Sequence, residues 1–141
     1  MNSKFNVKLS WSFYDWANSA WSAIIITFIF ARYFVDVLAP DKDLGTLYWT
    51  WTIGISSLVA ALLSPFFGSI SDQSQRSKFW LILSTLIYAF IALSFWFAQP
   101  NGMDLLLIIL LLFIGNISYE ISQIFYNGQL KLITTENNYA K

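Results

Sequence analysis

The chain has 141 residues, of which 57% are hydrophobic and only 11% are charged. A soluble domain carries about 25% charged residues, so the composition excludes an ordinary water-facing surface and predicts an integral membrane protein. The net charge is zero, and cysteine and histidine are both absent from the sequence. We therefore expect no nucleic-acid partner, no disulfide, no metal site and no cofactor.

Four segments are apolar over roughly the 20 residues that a membrane-spanning helix requires. The predicted spans one to four cover residues 11–37, 46–70, 79–98 and 103–130. Pro40 ends the first span because proline cannot continue a helix, and the sequence AQPNG at 98–102 predicts a turn before the fourth. The sequence thus predicts an all-α membrane protein in which the whole chain forms a single transmembrane domain, 1–141.

The distribution of lysine and arginine predicts the orientation, since these residues concentrate in cytoplasmic loops. They lie mainly in the N-terminal arm, in the loop 71–78 and in the C-terminal tail, at Lys4, Lys8, Arg76, Lys78, Lys131 and Lys141. The other two loops contain a single basic residue, Lys42. We therefore expect a multi-pass protein with both termini and the loop 71–78 in the cytoplasm.

The first span begins with FYDWANSAW, residues 13–21, which places an acid and an amide at the mouth of an apolar helix. Residues three and four apart share a helix face, and the resulting polar stripe contains Asp15, Asn18, Ser19 and Ser22. The stripe either lines a water-filled cavity or joins packed helices. Asp15 can alternatively cap its helix at the interface. Trp16 and Trp21, beside the stripe, are further cavity candidates.

A second polar stripe lies in the fourth span. Its members are Asn116, Tyr119, Glu120, Gln123 and Asn127. A carboxylate at the bilayer centre costs about 2.5–3.5 kcal/mol, so Glu120 requires a partner, water or a proton. Five polar residues exceed what helix packing needs, which favours the lining of a cavity.

Two other features have simpler interpretations. Arg32 is expected to pair with Asp36 four residues later or to extend outward to the interface, with a substrate role as the less favoured alternative. In the second span, small residues share one face, at Ser57, Ala61, Ser64 and Gly68. Such a face allows two membrane helices to approach closely, so this span is predicted to serve packing.

The loop sequence GSISDQSQRSK, residues 68–78, reads G-x-x-x-D-x-x-x-R-x-K. Gly68 permits a close backbone approach, and Asp72 can accept hydrogen bonds from the N-terminus of a neighbouring helix. Arg76 and Lys78 can bridge to acidic or carbonyl groups of another helix bundle. The alternative is a turn whose basic residues only set the orientation.

This loop resembles the signature loop of the major facilitator superfamily, which joins the second and third helices of those transporters. The resemblance implies a gate-locking role for Gly68, Asp72 and Arg76. Gln73 and Gln75 depart from the pattern, because the family usually has a basic residue and a glycine at these two places.

YDWANSAW, from residue 14, is similar to the first-helix signature of the vacuole-effluxer-like, autophagy-related permeases, a branch with many bacterial members. FYNGQL at 125–130 resembles the Tyr-Asn signature of their fourth helix, matched by Tyr126 and Asn127. A proline common shortly afterwards is absent, and Lys131 stands near that place. The resemblance implies a secondary active transporter of a small solute in a bacterial cytoplasmic membrane. Amino acid efflux is known for the fungal members.

Transporters of this type have about twelve helices in two six-helix halves, each built of inverted three-helix repeats. The four spans correspond to the start of the N-terminal half. We therefore interpret the chain as an N-terminal fragment whose partners are the lipid bilayer, a small-molecule substrate, and the remaining transporter helices or a second copy. The alternatives are a four-span transporter acting as an oligomer, with Glu120 as its ion-coupling carboxylate, and a non-transporting scaffold or inactive remnant. No catalytic constellation stands out, so an enzyme is not expected.

Overall fold

The computed structural model describes residues 3–73, 77–100 and 102–133, and every regular element in this part of the chain is a helix. Four helical segments are long and apolar enough to cross a membrane, which confirms the four predicted helices. These spans one to four are Ser12–Leu38, Lys42–Ser71, Ser77–Phe97 and Leu105–Gly128. The second span begins four residues earlier than the sequence indicated, and the loop between spans one and two is correspondingly short.

The helix that contains span one changes its hydrogen-bond pattern along its length. Its successive segments are α-helical Ser3–Ala20, π-helical Trp21–Phe28, α-helical Ile29–Tyr33 and π-helical Phe34–Leu38. In a π-helix each N–H bonds to the carbonyl five residues earlier. The N–H of Ile29 accordingly donates to the carbonyl of Ile24, and that of Ala39 donates to the carbonyl of Phe34 at 2.9 Å.

The corner between spans one and two is set by local chemistry. Ala39 has extended backbone, with φ −75° and ψ 152°, because the helical region is disfavoured for a residue before proline. The helix therefore ends at Leu38. The N–H of Leu44 then donates to the Asp41 carboxylate at 2.8 Å, which satisfies one of the unpaired donors at the start of span two.

Charges and a glycine hold the same corner together. Asp36 forms the predicted ion pair with Arg32 and a second one with Lys42, at 3.3 Å. A Cβ built on Gly45 would lie 2.7 Å from the Cβ of Ala39, so the two helix ends meet only because residue 45 has no side chain.

Span four is the central helix of the described bundle. It lies between spans two and three and makes extensive contacts with both. Its side chains Ile108, Leu112 and Phe125 are at most 1% exposed. Span one packs more loosely against spans two, three and four, and much of its contact is made by aromatic side chains.

The small residues of span two that are buried differ from those predicted. The buried small residues are Gly45, Thr52, Ser56 and Ala60. Ala61 is exposed, and nothing outside its own helix lies within 4 Å of a Cβ built on Gly68. Ser57 of the predicted face does meet span four, since both Ser56 and Ser57 accept hydrogen bonds from Asn116.

Candidate functional site

Aromatic rings bring span one against span four. Trp21 stacks on Tyr119 with ring centroids 6.4 Å apart, and Tyr14 stacks on Tyr126 with centroids 5.2 Å apart. The two helices that carry the predicted polar stripes therefore touch. Trp21 is only 3% exposed, whereas Trp16, the other tryptophan considered from the sequence, is 78% exposed.

Trp21 fits against span four at a glycine. A Cβ built on Gly115 would lie 2.5 Å from Cη2 and 2.9 Å from Cζ2 of the indole. On its other sides the indole contacts Tyr88 and Phe95 of the third span region, with centroid distances of 5.5 and 6.5 Å. The absence of a side chain at residue 115 is what admits the ring.

Asn18 is buried and joins span one to span three. It is 3% exposed, and its Oδ1 accepts a hydrogen bond of 2.6 Å from the hydroxyl of Tyr88. The hydroxyl of Tyr14 is likewise 2.6 Å from Oγ1 of Thr85. Sequence reasoning missed Tyr88 and Thr85. The available signal was a tyrosine in the middle of a predicted span, where its hydroxyl requires a partner.

Asn116 makes the corresponding connection between spans four and two. It is 3% exposed, and its Nδ2 donates to Oγ of Ser56 at 2.8 Å and to Oγ of Ser57 at 3.2 Å. Asn18 and Asn116, one from each predicted stripe, thus occupy buried positions with partners in a neighbouring span. Interhelical hydrogen bonds of this kind contribute about 0.6 kcal/mol each on average.

The other polar candidates on spans one and four remain at least partly accessible. Ser22, Tyr119, Glu120 and Gln123 are half-buried, and Asp15 and Asn127 are exposed. The Ser22 hydroxyl donates within its own helix to the carbonyl of Ser19, at 3.2 Å. Five of these side chains are defined here as the polar group: Asp15, Ser22, Glu120, Gln123 and Asn127.

The ionisable side chains of the polar group are both acidic. It contains two carboxylates, and Glu120 has no ion-pair partner among the described residues. Asp15 lies within electrostatic reach of the hydroxyl of Tyr126, which is itself 4% exposed. Tyr126 therefore belongs to the contact between the two helices, and the polar group borders it.

The loop motif is described only in part. Gly68 is half-buried in the last turns of span two, and Lys78 is exposed at the start of span three. The side chain of Asp72 and the whole of Arg76 lie outside the described residues. The gate-locking role implied by the resemblance stays a prediction.

The sequence of the chain matches known proteins. Residues 45–139 match the model of the family described as "Vacuole effluxer Atg22 like". The chain belongs to this family. The match covers spans two to four with both the loop motif and the Tyr126–Asn127 signature, so it does not depend on the first-helix motif.

The Atg22-like chain is also similar to a bacterial protein. It is 31% identical over 137 residues to the uncharacterized MFS-type transporter YxiO of Bacillus subtilis (strain 168). The alignment covers 90% of this chain and 30% of the relative, so the chain spans about 30% of the length of the curated relative it matches. No solved structure matches. The two findings confirm the resemblance to the major facilitator superfamily (MFS).

Proposed function

We propose that the chain forms part of a secondary active transporter, and that the solute pathway passes along the polar group of spans one and four. The observation that carries the proposal is Glu120: a half-buried carboxylic acid inside a spanning helix, without an ion-pair partner among the described residues. Such residues in membrane proteins mark substrate and ion pathways. Membership of a transporter family supports the same conclusion.

The chemistry of the polar group favours a solute with an amino group. Asp15 and Glu120 are acidic, and Ser22, Gln123 and Asn127 supply neutral hydrogen-bonding groups. The ammonium group of an amino acid would suit these acidic side chains, in line with the amino acid efflux known for the fungal members. The opposite wall of the pathway, which would receive the carboxylate end, is contributed in this proposal by further helices. The greater length of the bacterial relative supports that arrangement.

Replacing Glu120 with glutamine tests the proposal because it removes the charge and the exchangeable proton at almost constant volume. We expect transport by the complete transporter to fall at least about tenfold, which corresponds to about 1.4 kcal/mol in the barrier, and its pH dependence to be lost. Transport is measured in proteoliposomes over a range of pH. Asp43→Asn, an exposed carboxylate at the start of span two, is the matched control and should leave transport unchanged. Unaltered rates and an unaltered pH profile in Glu120→Gln would refute the proposal.

We also propose that both termini and the loop 71–78 face the cytoplasm, on the basis of the lysine and arginine distribution. The protein contains no cysteine, so single cysteines at Ser74 and Asn101 are unique labels. On intact cells an impermeant thiol reagent should modify position 101, and position 74 only after permeabilisation. The reverse pattern would require the opposite orientation.

A further inference from the structure

Two short hydrogen bonds join span one to span three. The hydroxyl of Tyr14 lies 2.6 Å from Oγ1 of Thr85, and the hydroxyl of Tyr88 donates to Oδ1 of Asn18 at 2.6 Å. On each helix the two residues are about one turn apart. The Tyr88 hydroxyl also interacts with Tyr14 and Thr85, so the four side chains form one group, here named the hydroxyl cluster.

Beside this cluster the two helices are not packed against each other. A cavity of about 470 Å³ lies between them, and much of its wall consists of small side chains, at Ala17, Ala20, Ala89 and Ala92. Tyr88 lines the same cavity and reaches across to span one. In this part of the bundle the contact between spans one and three therefore depends on the cluster rather than on the alanines.

The cluster determines the direction in which Asp15 points. Successive residues of an α-helix are rotated by about 100°, so Asp15 lies about 100° from Tyr14 and about 60° from Asn18. With these two side chains held against span three, Asp15 is on the side of span four, within electrostatic reach of the Tyr126 hydroxyl. A rotation of span one about its own axis would move the carboxylate away from that position.

We propose that Thr85 and Tyr88 are positioning residues, which fix the rotation of span one and thereby direct Asp15 towards span four. Neither side chain belongs to the polar group, and each acts on the solute only through Asp15. The relevance to transport rests on the proposed function, whereas the fixed rotation is a property of the described contacts.

The rotation is tested with single cysteines, introduced as Asp15→Cys or Ala17→Cys in this cysteine-free protein and labelled in membranes. The two positions lie about 160° apart around the helix. A rotation therefore changes their labelling rates in opposite directions, whereas a general loosening raises both. Thr85→Val combined with Tyr88→Phe removes both hydroxyls at nearly constant volume and should change the ratio of the two rates several-fold.

Two control variants preserve the cluster. Thr85→Ser keeps the hydroxyl that meets Tyr14, so the ratio should stay at the wild-type value. Ser84→Ala removes a neighbouring hydroxyl of span three that donates to the carbonyls of Trp80 and Leu81 in its own helix, at 2.8 and 3.1 Å. It should likewise leave the ratio unchanged, and an equal change in either control would overturn the proposal.

An unchanged ratio in the folded double variant would also overturn the positioning role. If the double variant does not fold, Tyr14→Phe removes the hydrogen bond to Thr85 from the other helix while the ring stays, and wild-type labelling in that variant refutes the proposal.

Transport by the complete transporter forms a separate arm. The double variant should raise KM several-fold and change kcat less, because Asp15 is displaced from the bound solute. A changed ratio with an unaltered KM would count against the proposed function alone, and a raised KM with an unaltered ratio would count against the positioning role.

Discussion

Replacing Phe125 with alanine should lower the free energy of unfolding by about 3–5 kcal/mol, the range found when a buried phenylalanine is truncated. Phe125 is fully buried, stacks on Trp80 with centroids 6.3 Å apart and meets Phe67 edge-on at 6.0 Å. Lipid tails are as apolar as the side chain, so the loss comes from van der Waals contacts and the cavity. Equilibrium unfolding in mixed detergent micelles measures it.

Phe90→Ala is the matched control for this prediction. Phe90 lies on span three and is 75% exposed, so its truncation should change the free energy of unfolding by no more than about 0.5 kcal/mol. Equal losses for the two variants would mean that the three-ring contact does not hold spans two, three and four together.

Gly115→Ala should cost about 1–3 kcal/mol, because a new methyl group would overpack the site occupied by the Trp21 indole. The built Cβ lies only 2.5 Å from the ring, and the rings of Tyr88 and Tyr119 restrict any retreat of the indole. The free energy of unfolding is again the measurement. Tryptophan emission provides a second readout, since a displaced indole meets a different environment.

A second substitution separates overpacking from a general effect on the helix. Trp21→Phe shortens the ring, so Gly115→Ala should cost distinctly less in that background than in the wild-type protein. Gly54→Ala has open space around it and should be neutral or slightly stabilising, since alanine favours a helix more than glycine does. Equal costs of Gly115→Ala in both backgrounds would show that the indole is not what the methyl group meets.

The four spans were predictable because hydropathy over about 20 residues reports a physical requirement, the satisfaction of backbone polar groups within the segment. The corner at Pro40 and the Arg32–Asp36 ion pair follow from equally local rules, and both are present in the structure. The π-helical segments were not predictable. Their hydrogen bonds depend on how neighbouring helices pack against span one, and the composition of the segment does not determine that packing.

The candidate site was likewise predictable only in part. The polar stripes on spans one and four could be identified from helical spacing, but spacing does not tell which neighbour a side chain meets. Asn18 forms a hydrogen bond with a hydroxyl on span three, and Asn116 forms hydrogen bonds with two hydroxyls on span two. Glu120, by contrast, has no ion-pair partner in the described part of the chain. That distinction depends on which helices surround span four, which requires the tertiary arrangement.

The π-helical segment Trp21–Phe28 has a consequence for the phase of span one. The residues of this span that are at most 8% exposed are Asn18, Trp21, Ile25, Phe30 and Phe34. Most steps along this series are three or four residues, but the step from Ile25 to Phe30 is five. In an α-helix five residues turn through about 500°, which would place Phe30 about 140° away from Ile25. The wider π-helical turn reduces this offset, so span one carries one residue more than a regular helix would need to present the same buried face to its neighbours at both ends.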